Sequence, residues 1–145
     1  MGQVADTTSN RSSLRCTLSV VVLAVEEIVI VKDFLLSLFG WPVGVDEPDY
    51  CELEAAEDMT VALYQRDSFL AILEGRHVLP AGPGGMPVEL YVKVEDARAL
   101  VERACALGAK LLSPATVRYW GTTVGYVAIP GGCVLALSSA SHQEG

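Results

Sequence analysis

Positive charge is in short supply: 10 Lys and Arg stand against 18 Asp and Glu, leaving a formal net charge of −8 over 145 residues. A surface so biased repels phosphate backbones and anionic lipid heads, and no basic cluster interrupts it. Nucleic-acid and membrane-surface partners are therefore disfavoured, and cationic partners favoured. Histidine is scarcer still, with His77 and His142 the only 2. No apolar stretch approaches the ~20 residues of a membrane span. Cys16, Cys51, Cys105 and Cys133 lie 35, 54 and 28 residues apart, with no Cys-x-x-Cys pair and no neighbouring histidine to complete a zinc site. They read as free thiols in apolar surroundings, which suits a reducing cytoplasm; a bridged set is the alternative. Missing too are a Gly-x-Gly-x-x-Gly after a strand, a P-loop, a Gly-x-Ser-x-Gly elbow and a Ser, His and Asp set for nucleophilic catalysis.

What the chain does have is a core. Hydrophobic residues make up 51% and charged residues 19%, the balance of one folded domain. Residues 1–15 are polar and aperiodic, a tail, and 140–145 form another. Between them lies a single domain, 16–139. Arg11 and Arg15 before the apolar run Leu18 to Val25 imitate a secretory signal, but Glu26 and Glu27 follow without a small-residue cleavage site. That run reads as a strand instead.

A repeat organises the domain into module one (16–74), a Pro- and Gly-rich linker (75–87) and module two (88–139). The β-branched run LSVVVLAV passes into a stretch where Ile28, Val31, Phe34, Leu35 and Leu38 recur at helical spacing, stopped by Gly40. Module two repeats the plan: VELYVKV from Val88 to Val94 alternates, Asp96 opens a helix with the stripe Ala97, Leu100, Val101, Ala104 and Leu107, and Gly108 ends it. Strand, helix and glycine stop thus recur at an offset of 68 to 69 residues. Further strands are predicted at Tyr50–Glu54, Thr60–Gln65 and Phe69–Glu74 in module one, with Arg66 to Ser68 as a turn. In module two they are predicted at Thr116–Trp120, Thr123–Ile129 and Cys133–Ser138, with IPGG as the last turn. Each module reads β-α-β-β-β.

These two tandem modules, with VVLAVEE running to LFGW, VKVEDARALVERACALGA and IPGGCVLAL, resemble the vicinal-oxygen-chelate superfamily of glyoxalase I, bleomycin-resistance proteins and extradiol dioxygenases. The resemblance covers Leu18 to Ser139 and implies an α+β fold whose eight strands curl into a ligand cup. It also implies a divalent metal held from the first and last strands of each module. Those positions fall at Val20, Ile72, Glu89 and Ala136, and their neighbours add no donor beyond the Ser19 hydroxyl. A metal needs two or three N, O or S donors, so no metal and no other cofactor is expected.

Strand alternation turns Val20, Val22 and Ala24, then Glu89, Tyr91 and Lys93, toward the cup, with Val88, Leu90, Val92 and Val94 against the helices. Leu70, Ile72, Val134 and Ala136 are expected to join from the closing strands. Trp120 and Tyr126 either line the cup or fill the core. Glu89 either sits solvated beside Lys93, meets a cationic group of a ligand, or serves as a base. The favoured expectation is a metal-free binding protein that sequesters an aromatic or cationic antibiotic-like compound, as the bleomycin-resistance branch does, and works as a homodimer. Ile30, Leu36 and Phe39 would then pack against another module or subunit. The alternative is an enzyme, a lyase, isomerase or dioxygenase with atypical ligands or none, using Glu89 and Tyr91 as acid and base.

Overall fold

A computed structural model describes residues 18–72, 74 and 88–141. The linker, most of both tails, Cys16, His77 and His142 lie outside the described residues. In chain order the elements are β1 (Val20–Val25), α1 (Ile28–Phe39), β2 (Val43–Glu47), β3 (Tyr50–Ala56), β4 (Met59–Gln65) and α2 (Arg66–Ile72), then β5 (Glu89–Lys93), α3 (Ala97–Ala106), β6 (Lys110–Val117), β7 (Thr122–Ala128) and β8 (Val134–Ala140). Each module makes a four-stranded sheet, ordered β1-β4-β3-β2 in the first and β5-β8-β7-β6 in the second. The first strand of each module pairs parallel with its last, and the remaining pairs are antiparallel. The architecture is α+β, two mixed sheets carrying helices, and neither sheet closes.

The helices form where the apolar periodicity predicts. Ile28, Val31, Phe34, Leu35 and Leu38 of α1 are buried, as are Ala97, Val101 and Ala104 of α3. Gly40 ends α1 at φ 68°, a left-handed conformation that glycine adopts without a Cβ clash. Both helix starts are capped from the closing strand of their own module. Gln65 accepts from the Ile28 backbone N–H at 3.1 Å while donating to the Glu26 carbonyl. Ser139 accepts from the Ala97 N–H at 3.0 Å, and Asp96 accepts from Ala99. One core runs through both modules, with Leu35, Leu53 and Leu63 from the first and Val127, Leu135 and Leu137 from the second. The IPGG turn reaches across: a Cβ at Gly131 would lie 3.3 Å from Val31 Cγ2.

Three strand expectations need correction. Of the strand expected at Phe69–Glu74, Phe69 to Ile72 are helical and residue 73 lies outside the described residues; Arg66 to Ser68 is not a turn, since α2 begins there. The last strand of module one is β4, and the missed element is β2. Its sequence VGVDE lies between Pro42 and Pro48, and the strand is a short, acidic, bulged edge, a composition that hides it in a hydrophobicity pattern. With β1 and β2 as the two edges the sheet is complete, and the short apolar run after Gln65, ambiguous by periodicity alone, goes helical. In module two, β6 starts at Lys110 rather than Thr116; Pro114 reads as a breaker but sits on the edge strand, where proline is tolerated. Trp120 consequently lies in the turn between β6 and β7.

Candidate functional site

Each sheet packs one face on the core and leaves the other open. In module one, strand pairing aligns the open face in rows: Ala24 with Tyr64 and Tyr50, Val22 with Ala62 and Glu52, and Val20 with Thr60 and Glu54. Glu47 continues the first row from β2. The Tyr50 hydroxyl donates to Glu52 Oε2. Burial first, and this carboxylate acceptor second, push the Tyr50 phenol up to about 12. Tyr50 and Tyr64 stand 5.1 Å apart at 66°, and Phe69 of α2 meets Tyr64 at 5.6 Å and 61°. Steep interplanar angles make these rings walls of a corner rather than a flat stack. Together with Val22, Ile72, Glu47 and Asp49 they line an open recess of about 500 Å³.

Module two has a different open face. Its rows are Glu89 with Val134 and Ala128, Tyr91 with Ala136 and Tyr126, and Lys93 with Ser138 and Val124. Ala136 is fully buried, a floor between the two tyrosines. Tyr91 donates to Ser138 Oγ at 2.9 Å. When the phenol ionises, that serine hydroxyl turns and donates to the phenolate, so Tyr91 is held below the usual tyrosine range. Arg118 folds back over the sheet, donating to Val124 O, Ser113 Oγ and Pro114 O, with its guanidinium carbon 5.1 Å from the Tyr126 ring centroid. Beyond it Tyr119 and Trp120 form an exposed aromatic tip, their centroids 4.9 Å apart.

The residues singled out from sequence are therefore divided between two surfaces. Val20 and Val22 belong to the open face of module one. Glu89, Tyr91, Tyr126, Val134 and Ala136 belong to that of module two, and Trp120 to the turn at its end. Ile72 borders the module-one recess from a helix rather than a closing strand, and Leu70 shares that helix without lining the recess. Val88, expected against the helices, is 40% exposed. Leu36 and Phe39 pack on the core, Phe39 stacking on Trp41 at 4.4 Å, whereas Ile30 is exposed. Cys51, Cys105 and Cys133 are free thiols. Sequence reasoning missed Tyr50, Tyr64 and Phe69. The signal available was the alternation of Tyr50, Glu52 and Glu54 in one strand, which marks an outward face.

The arrangement matches solved structures at low sequence identity. A glyoxalase/bleomycin resistance protein/dioxygenase family enzyme from Burkholderia phytofirmans PsJN superposes with a TM-score of 0.75 at 18% identity, over 87% of this chain and 100% of that one. A glyoxalase-related enzyme from Fulvimarina pelagi gives 0.71 at 23% identity, over 86% and 88%. A glyoxalase/bleomycin resistance protein/dioxygenase from Nocardioides gives 0.69 at 18%, over 100% and 98%. The chain has the glyoxalase/bleomycin-resistance fold. No protein-family model matches it, and no curated protein matches its sequence.

The family resemblance places a divalent metal's ligands on the first and last strands of each module. With β4 as the closing strand, Ala62 replaces Ile72 at that position, since Ala62 pairs with Val22 as Ala136 pairs with Tyr91. The open-face residues of these four strands are then Val20, Val22, Ala24, Thr60, Ala62, Tyr64, Glu89, Tyr91, Lys93, Val134, Ala136 and Ser138. Glu89 is the one carboxylate among them, and no imidazole or thiol accompanies it. Among the described residues no three His, Cys, Asp or Glu side chains converge as a metal requires. The donor set does not fit a divalent metal. No helix among the described residues is long and apolar enough to cross a membrane.

Proposed function

We infer that the open faces bind an organic small molecule, aromatic or cationic in character and antibiotic-like, and that the protein acts by sequestering it. The observation that carries this reading is the chemistry of the two faces: tyrosines, a phenylalanine and aliphatic side chains with scattered carboxylates, where a metal enzyme needs converging donors. A net charge of −8 raises the local concentration of cations around such a surface. Val22, Ile72, Tyr91 and Trp120 are 41%, 61%, 46% and 45% exposed, and a second copy of the chain that covers them would turn two open sheets into an enclosed cup. A homodimer in a reducing cytoplasm, with its cysteines free, is part of the same proposal. Sedimentation equilibrium of the full chain, with and without ligand, tests the assembly. A thermal-shift series of cationic and aromatic antibiotics tests the binding; a series without any stabilisation counts against it.

The second reading is an enzyme, favoured by one observation. Tyr91 is held below its usual range, and Glu89 lies two residues away on the same face, so the pair could exchange a proton with a bound substrate. Tyr91→Phe distinguishes the readings. Turnover of any substrate would collapse under the second, while ligand affinity would change little under the first.

A further inference from the structure

The geometry points to the recess of module one as a seat for a quaternary ammonium group, the trimethylammonium kind of cation carried on an organic ligand. This rests on the reading that the open faces take up small molecules and names what one of them recognises. Three aromatic side chains, Tyr50, Tyr64 and Phe69, meet at steep angles around a space of about 500 Å³. Aromatic faces attract a cation through their quadrupole, most strongly where the cation is bulky and weakly hydrated. The lining adds Glu47 and Asp49, and among the described residues it contains no Lys, Arg or His. Val22 and Ile72 supply apolar contact for methyl groups. Glu52 is engaged by the Tyr50 hydroxyl, which leaves Tyr50 a neutral ring at any physiological pH.

The chemistry separates this cation from others. A divalent metal would need carboxylates that converge, and among the described residues none do in threes. A primary ammonium would want three acceptors converging at hydrogen-bond distance, whereas Glu47 and Asp49 are the two carboxylates in a lining otherwise made of rings and aliphatic chains. A trimethylammonium head needs neither. It asks for aromatic walls, methyl contacts and negative charge close by.

The probes are choline and 3,3-dimethylbutan-1-ol, which has the same shape with carbon in place of nitrogen and carries no charge. Titrated into the isotopically labelled full chain, choline should shift amide resonances of 47–52 and 62–72 saturably, with the neutral analogue about tenfold weaker. Phe69→Leu and Tyr64→Leu, each checked for an intact spectrum, should weaken choline about five- to tenfold. Glu47→Gln with Asp49→Asn should weaken it too, by an amount that shrinks at high salt. Equal binding of the two probes, or Phe69→Leu binding choline as the parent does, overturns the proposal. A planar uncharged probe, 2-naphthol, separates this failure from a wider one. If 2-naphthol shifts resonances of 120–126 and 134–138 while choline leaves module one unmoved, the ammonium seat falls and small-molecule binding stands. If neither probe shifts either face, both fall.

Discussion

Module one and module two share a plan down to the register of their caps, yet they present different chemistry on equivalent surfaces. Both helices are capped from the closing strand, by Gln65 in one and Ser139 in the other. In module one the tyrosines occupy the row of Ala24, with carboxylates beside them; in module two they occupy the row of Tyr91, with Lys93 and Arg118 nearby. The conserved plan belongs to the core-facing residues, which must interlock with a helix. The divergent part belongs to the open faces, where stability imposes little and a ligand can select the side chains. The difference teaches that a repeat read from core periodicity says nothing about whether two sites are alike.

The same equivalence extends into the core, and it can be broken in several ways. The largest effect should come from Leu35→Ala in α1: the side chain is fully buried, and truncation there should cost about 2 to 5 kcal/mol by urea denaturation. Next is Gly125, which pairs with Leu137 as Cys51 pairs with Leu63 and so holds the corresponding place in module two. A Cβ at Gly125 would lie 2.5 Å from Val101 Cγ2 and 3.1 Å from the Ala115 backbone. Gly125→Ala should therefore cost about 1 to 3 kcal/mol through overpacking, although module one carries a larger residue at its counterpart. A neutral Gly125→Ala would show that α3 is free to move outward.

Smaller effects sharpen the cap comparison. Gln65→Ala and Ser139→Ala should each cost about 1 kcal/mol, with Gln65 the costlier because its amide serves the end of β1 as well as the start of α1. A last effect is confined to alkaline pH. With the Tyr50 phenol at about 12 when folded and at the ordinary tyrosine value of 10.0 in the unfolded chain, the folded state holds its proton more tightly. The stability this contributes is complete below pH 10 and lost as the pH rises toward about 12. Tyr50→Phe should flatten the fall of Tm across that window relative to the parent, and identical slopes would show that folding does not raise the Tyr50 phenol.

Much of the fold was legible because core positions obey simple periods. The α1 stripe from Ile28 to Leu38, the glycine stops and the alternation of β5 follow from side-chain spacing alone. What stayed hidden followed a different logic. The edge strand β2 carries glycine and acidic residues because an edge needs charge and irregularity to resist pairing, and that composition reads as loop. The run after Gln65 was apolar enough for either a strand or a helix, and only the filled sheet excluded the strand. For the same reason Ile72 approaches the recess from a helix, and Phe69 comes to stand over Tyr64 without any local signal.

By itself the amino-acid order determined the two modules, their helices, the excess of negative charge and the shortage of metal-binding side chains on the strands, because each depends on composition or on neighbours a few positions apart. Only the tertiary structure decided which aromatic rings meet. Tyr50, Tyr64 and Phe69 come together through strand pairing and a helix turned back over the sheet, contacts between residues that no local period relates.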